Sequence, residues 1–387
     1  MASSSKLLFS LFSLLQITLS LSSTLFLPLH KDTDRNQYLT RIYHGSKLME
    51  ASLVVDLNSP FLWLDCSSSQ KQITTVNCRS IQCTSAAPNS CPSNSDRSCS
   101  IPLQNPTTGV SAFGELVEGT VSFRDDEVSA VDSFLFSCAP SILLSGLPSS
   151  SKGVLGLGRT RIGAISQISH FFEYPKKFSL CLSSENGMIL DGNDEIEVFK
   201  SMIYTPLLDN GDSSYSINLK SVKIQNKKLD VEESLLSSIK ISTIDPYSKM
   251  ETRVYQEFVR AFVMEAESLN MPRVQPIGGF DYCYDIKGTT KVPIINLELQ
   301  SEMVKWRIFG HNSMVKINED VMCLGFLDGG YDLGNSISII LGGHQLEDNL
   351  LEFDLGSSML GFSSSLLKKQ TSCSQLSSLH RGSIQSL

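Results

Sequence analysis

"VVDLNSPFLWLDC", Val54 to Cys66, is the stretch that decides the fold. An apolar run carries one carboxylate, Asp56, to a turn at Asn58-Ser59-Pro60, and a second apolar run leaves that turn and ends in Cys66. Such a pattern is a buried strand delivering an acid to a loop. The second half of the chain repeats it with one change. In "KISTIDPYS", residues 240–248, a hydroxyl residue, Ser242, stands where the first half has its acid. Each unit is followed by an apolar run closed by glycines, "GVLGLG" (Gly153 to Gly158) and "ISIILGG" (Ile337 to Gly343). The repeat predicts two similar β lobes facing one cleft, divided near residue 200.

The surroundings agree. Short apolar runs alternate with Ser, Gly, Asn and Asp clusters along most of the chain, so the protein is expected to be mainly β. "NLLEFDL" and "MLGFS" flank Gly356-Ser357-Ser358 and predict a hairpin. Helical spacing is confined to two places. Val254, Phe258, Ala261, Phe262 and Leu269 share one face of a helix capped by Thr252 and ended by the Met-Pro after Asn270. A shorter helix is expected within "RIGAISQISHFF", from Arg161.

At 387 residues the chain exceeds one ordinary core. Its net charge of −8 gives it no general attraction to phosphate, which argues against nucleic acid and anionic membrane as partners. Lys6 followed by the apolar stretch Leu7 to Leu21 and small residues reads as a signal peptide over 1–23. No other segment has the length to span a membrane once that peptide is removed. The ten cysteines fit export: Cys66, Cys78, Cys83, Cys91, Cys99, Cys138, Cys181, Cys283, Cys323 and Cys373. No CxxC or HxxxH spacing supports a metal site, and no cofactor is expected. The six histidines are scattered, and no Gly-x-Ser-x-Gly elbow occurs. The Ser-rich tail, 374–387, is expected to be disordered.

The chain resembles the plant pepsin-like aspartic peptidases. More narrowly it is similar to the extracellular dermal glycoprotein, basic 7S globulin and xylanase-inhibitor group. "DLNSPFLWLDC", "GVLGLGRTRIGAISQ", "KKFSLCLSS", "VMCLGFLDGG" and "IILGGHQLEDNLLEFDLGSSMLGFSSSLL" carry the resemblance. It implies a mainly β, bilobal, pepsin-like acid-protease fold, two six-stranded-type β lobes around a central cleft. The lobes would span 24–200, disulfide-rich, and 201–373. It also suggests that residues before the second active-site strand are few, raising the question of a missing strand there.

Aspartic peptidases need two carboxylates that share one proton, each from an Asp-Thr/Ser-Gly motif. Asp56 takes the first position, with Leu57 and Asn58 in place of the hydroxyl residue and the glycine. Ser242 takes the second. Asp245, three residues on and followed by Pro246, reads as a turn residue. The expectation is a dismantled dyad and no ordinary proteolysis. The resemblance implies a secreted inhibitor of microbial cell-wall glycoside hydrolases, endoglucanases or xylanases, located in the cell wall or apoplast in plant defence. The alternatives are an aspartic endopeptidase and a storage or peptide-binding protein like basic 7S globulin. A hydrolase cleft lined by two carboxylates takes a cation, so the inhibitory-loop candidates are Lys287, Lys291, Lys368 and Lys369. The disulfides expected are Cys283–Cys323, Cys66–Cys138 and Cys181–Cys373, with Cys78, Cys83, Cys91 and Cys99 pairing locally in a connectivity left open.

Overall fold

The computed structural model describes residues 25–67, 73–87, 98–124, 130–191, 201–287, 291–334 and 336–385. The expected signal peptide and Cys91 lie outside the described residues.

The decisive strand is Met49–Asp56, whose last four residues are all buried. It lies between Gln37–His44, antiparallel with Leu39 opposite Val54, and Gly153–Gly156, parallel with Asp56 opposite Gly156. Its fully buried end is apolar from Leu53 to Val55, as a strand covered on both sides requires, and Asp56 stands at the very end of it. The strand that leaves the turn, Trp63–Leu64, pairs antiparallel with Gly153–Gly156 and parallel with Ala130–Cys138.

The second half repeats every one of these pairings. Ser238–Ile241 lies antiparallel to Ser216–Asn218 and parallel to Ile337–Leu341. Ser248–Met250 leaves the turn, antiparallel to Ile337–Leu341 and parallel to Phe326–Asp328. The strand whose absence was in question is therefore present. Ser216–Asn218 is three residues long where its counterpart Gln37–His44 has eight, so this lobe keeps the pairing and gives up length.

One antiparallel sheet joins the halves. Its strands run Phe26–Asp32, Asn186–Asp191, Lys177–Cys181, Leu350–Asp354, Met359–Phe362 and Ile203–Leu208. The junction is Lys177–Cys181 on Leu350–Asp354, with Phe178 opposite Phe353. Those two rings stack at 4.8 Å between centroids, and Tyr215 leans on Phe353 at 4.6 Å. All three are buried, and burying an aromatic ring of this kind contributes about 1.5–3 kcal/mol. The hairpin turn at Gly356-Ser357-Ser358 sits where the sequence places it, between Asp354 and Met359.

Both expected helices are present, at Ala164–Phe171 and Thr252–Ser268. Val254, Phe258 and Phe262 of the longer one are buried in the core of the second half. Its cap is Glu251 rather than Thr252. The Glu251 carboxylate accepts from the backbone N–H groups of Arg253 and Val254, a role any short acceptor before the first turn can fill. Three expected disulfides form, Cys66–Cys138, Cys181–Cys373 and Cys283–Cys323, and Cys83–Cys99 resolves part of the local set. Cys78 is also disulfide-bonded.

The tail corrects the sequence reading. Cys373–Gln385 is a helix, not a disordered segment. Its composition is poor in apolar residues, but the disulfide to Cys181 fixes its first residue, Leu376 and Ser377 are buried, and Ser377 Oγ donates to the Gly187 carbonyl at 3.1 Å. A tether removes much of the entropy that keeps such a segment unfolded.

Candidate functional site

Two glycines establish which residues are equivalent across the lobes. A Cβ on Gly156 would fall 2.6 Å from the Ser59 carbonyl oxygen and 2.3 Å from that of Phe61. A Cβ on Gly342 would fall 2.8 Å from the Asp245 oxygen and 2.7 Å from that of Tyr247. The same backbone embrace therefore holds both loops, and only glycine permits it. It sets Asp56 against Ser242, Leu57 against Thr243, Asn58 against Ile244 and Ser59 against Asp245. The second lobe's counterpart of Asp56 is thus a serine.

Asp56 is buried. It accepts the backbone N–H of Asn58 at 2.8 Å and that of Ser59. Burial pushes its pKa up to about 6; the two N–H groups and the charge of Lys240 pull the other way, and the charge of Asp245 adds to the rise. Ser242 copies the loop geometry of a carboxylate without its chemistry. Its Oγ accepts from Ile244 N at 3.2 Å and Asp245 N at 3.1 Å, and donates to Asp245 Oδ2 at 2.8 Å. A hydroxyl has one proton and two lone pairs, so Ser242 has nothing left to activate a water.

Asp245 is a turn residue, and it is also on the floor of the cleft. Asp56, Lys240, Ser242 and Asp245 line one cavity of about 530 Å³, whose other wall includes Pro102, Leu103 and Gln104. The other Asp245 oxygen, Oδ1, receives Lys249 Nζ at 2.7 Å. With Ser242 on Oδ2 and Lys249 on Oδ1, its charge is matched and it is not arranged to share a proton with Asp56.

Across the cleft floor the lobes are pinned by side chains. Thr243 Oγ1 donates to the Val55 carbonyl at 2.7 Å and accepts from Leu57 N at 3.2 Å. Leu57 cannot return the contact. Asn58 does so from one residue further along: its Nδ2 donates to the Ile241 carbonyl at 3.0 Å, and its Oδ1 accepts from Tyr215 N at 3.3 Å. Val55 and Ile241 are the residues just before Asp56 and Ser242, so the clasp is reciprocal.

The four lysines are not gathered into one site. Lys287 is exposed and pairs with Asp320 at 3.1 Å, and Lys291 is exposed. Lys368 and Lys369 end a short turn of 3₁₀ helix, Leu366–Lys369. Lys368 Nζ sits 4.9 Å over the Phe309 ring, and Lys369 Nζ donates to Ser201 Oγ. Both line a groove of about 520 Å³ together with Lys305 and Arg307, which the sequence reading missed. The signal was there: Lys305 and Arg307 flank the buried Trp306 on one strand, so they point to the same side. Among the described residues no cluster of His, Cys, Asp and Glu could hold a metal ion. No described helix is long and apolar enough to cross a membrane.

Known proteins match most of the chain. Residues 38–193 match the family model "Xylanase inhibitor N-terminal", and residues 214–364 match "Xylanase inhibitor C-terminal". The chain is 39% identical to "Probable aspartic proteinase GIP2" of Nicotiana benthamiana over 90% of each chain. It is similar to the crystal structure of "edgp", with a TM-score of 0.84 and 37% identity over 91% of this chain and 97% of that one. For the basic 7S globulin of soybean the TM-score is 0.79, with 30% identity over 90% and 97%. The aspartic proteinase of Irpex lacteus, only 14% identical, shares the fold with a TM-score of 0.63 over 89% and 98%.

Proposed function

The chain belongs to the xylanase-inhibitor family and has the two-lobed pepsin-like fold, and from that premise we propose that it is a secreted, catalytically inactive member that inhibits microbial cell-wall glycoside hydrolases in the plant cell wall. The observation that carries the inactive reading is the Ser242 hydroxyl, saturated by Ile244, Asp245 and the Asp245 carboxylate where a peptidase needs its second acid. A lone buried carboxylate cannot hold and release the shared proton that activates water. What such a scaffold keeps is a rigid surface. The groove bearing Lys305, Arg307, Lys368 and Lys369 is the part of that surface suited to a hydrolase cleft lined by two carboxylates. Lys305 pairs with Glu298 at 3.1 Å, so Arg307, Lys368 and Lys369 carry the groove's part in this reading; Lys287 pairs with Asp320, stands apart from the groove and is the weaker candidate.

The test is to mix the purified secreted protein with a fungal xyloglucan endoglucanase and, separately, with a xylanase. Loss of hydrolase activity near equimolar protein, with casein left intact at acid pH, is the expected result. Casein cleavage blocked by pepstatin would overturn the inactive reading, and full hydrolase activity at excess protein would overturn the inhibitor reading.

A further inference from the structure

Away from the cleft and the basic groove lies a larger concavity, about 910 Å³, beside the Ala164–Phe171 helix. Phe171 and Tyr174 line it. They belong to a row of three rings. Phe172 meets Phe171 edge-on at 5.0 Å and stacks with Tyr174 at 5.6 Å, and Phe172 is itself packed on the core. The middle ring is thus an anchor, and its neighbours are held outward, with Phe171 48% exposed.

The helix end builds this row. Glu173 takes the left-handed conformation, φ 56°, just after the helix, and Tyr174 N closes back on the Ser169 carbonyl at 3.0 Å. Glycine is the residue that usually fills this position, because it does so without strain. A glutamate there puts an acidic residue in the lining of the concavity. On the facing strand Ser133 is likewise left-handed, φ 58°, beside Asp132. Asp132 Oδ1 receives the Thr120 hydroxyl at 2.8 Å, and Asp132 lines the groove. Glu118 and Glu173 make no ion pair among the described residues, and both line the same concavity.

We infer that this groove is a binding site for a short neutral oligosaccharide. Exposed aromatic rings accept the apolar C–H faces of pyranoses. Carboxylates with free lone pairs accept vicinal hydroxyls. Three carboxylates, Glu118, Asp132 and Glu173, against Arg161 and Lys176 leave the groove slightly acidic, which disfavours a polyuronide. Concave shape with a few convergent polar groups is what small-ligand sites share. The site uses none of the residues assigned to hydrolase inhibition, so it stands or falls separately from that reading.

The experiment is isothermal titration of the full secreted chain with cellohexaose, xylohexaose and an oligogalacturonate of equal length. Saturable binding of a neutral hexaose is expected, weakened tenfold or more in Phe171→Ala and in Tyr174→Ala, with hydrolase inhibition unchanged in both. Phe171 is half-exposed, so its variant should melt as the wild type does and can decide the matter alone. No saturation by either neutral sugar, binding of the uronide only, or affinity untouched by Phe171→Ala would overturn the proposal. Self-association abolished by Phe171→Ala in the absence of sugar binding would overturn it in favour of a protein contact.

Discussion

Asn58 of the first lobe hydrogen-bonds through Nδ2 to the Ile241 carbonyl of the second at 3.0 Å, while Thr243 of the second lobe bonds back to the Val55 carbonyl at 2.7 Å. Each bond satisfies the carbonyl of a buried residue next to Asp56 or Ser242, so each is expected to matter more than a surface contact. Asn58→Ala and Thr243→Val should each lower stability by about 1–3 kcal/mol, since each strands a buried acceptor. Urea denaturation of the two single variants and the double variant measures this. Strict additivity in the double variant would mean the two bonds do not act as one clasp.

The Asp56 carboxyl titrates at about 6 in the folded chain, against about 3.9 in an unfolded one. Between those values the folded state keeps a proton that the unfolded state has lost. The associated stability is complete below pH 3.9 and is lost as pH rises through 6, by up to about 3 kcal/mol. Asp56→Asn should therefore stabilise the protein at pH 7 and leave it nearly unchanged at pH 4. Equal effects at both pH values would contradict the burial of an ionisable group there.

Glu347 has the opposite sign. Burial pushes its pKa up, but contact with His344 and the charge and hydrogen bond of Lys31 outweigh it and hold it at about 2. Its Oε1 also accepts from Tyr38 at 2.9 Å and from Lys31 at 2.8 Å. The stability it contributes is present above its unfolded value and is lost as pH falls toward 2. Glu347→Gln should cost about 3 kcal/mol at pH 7 and progressively less in acid, read from denaturation midpoints at pH 7, 4 and 2.5.

Placing an acid at position 242 should not create a peptidase. Ser242→Asp places a second carboxylate against Asp245, and Leu57 still has no hydroxyl. The expected outcome is a destabilised protein with no casein cleavage between pH 3 and 5. Pepstatin-sensitive cleavage by this variant would show that Ser242 alone separates the chain from activity.

For the inhibitor reading, the groove and the isolated lysine make different forecasts. Lys369→Ala should weaken hydrolase inhibition about tenfold, or about 1.4 kcal/mol, and Lys287→Ala less than about threefold, as for an exposed charge already paired. Inhibition constants for the two variants settle the order.

Local pattern made part of this protein legible and long-range pairing hid the rest. Asp56 and Ser242 can be found because each ends an apolar run in a turn, and the Thr252–Ser268 helix because its apolar residues keep a 3.6-residue period. The Asn58 amide could not be interpreted, because its acceptor is 183 residues away. Asp245 was legible as a turn residue, but its place on the cleft floor follows from Ser242 and Lys249 folding around it. The tail misleads by composition: what makes it helical is a disulfide to Cys181 and the burial of Leu376, neither of which a serine-rich stretch announces.

The six-stranded sheet between the halves also sets an order of events during synthesis. Its first strand, Phe26–Asp32, and its neighbours Asn186–Asp191 and Lys177–Cys181 emerge early, while Leu350–Asp354 and Met359–Phe362 come nearly last. Phe178 meets the edge of Tyr215 but lacks its stacking partner until Phe353 has left the ribosome. The nascent first half must therefore wait with an open strand edge, the state in which chains of this size aggregate. Yield of the folded chain should depend on how well that waiting edge is protected, and a chain truncated before residue 350 should be left with the edge unpaired.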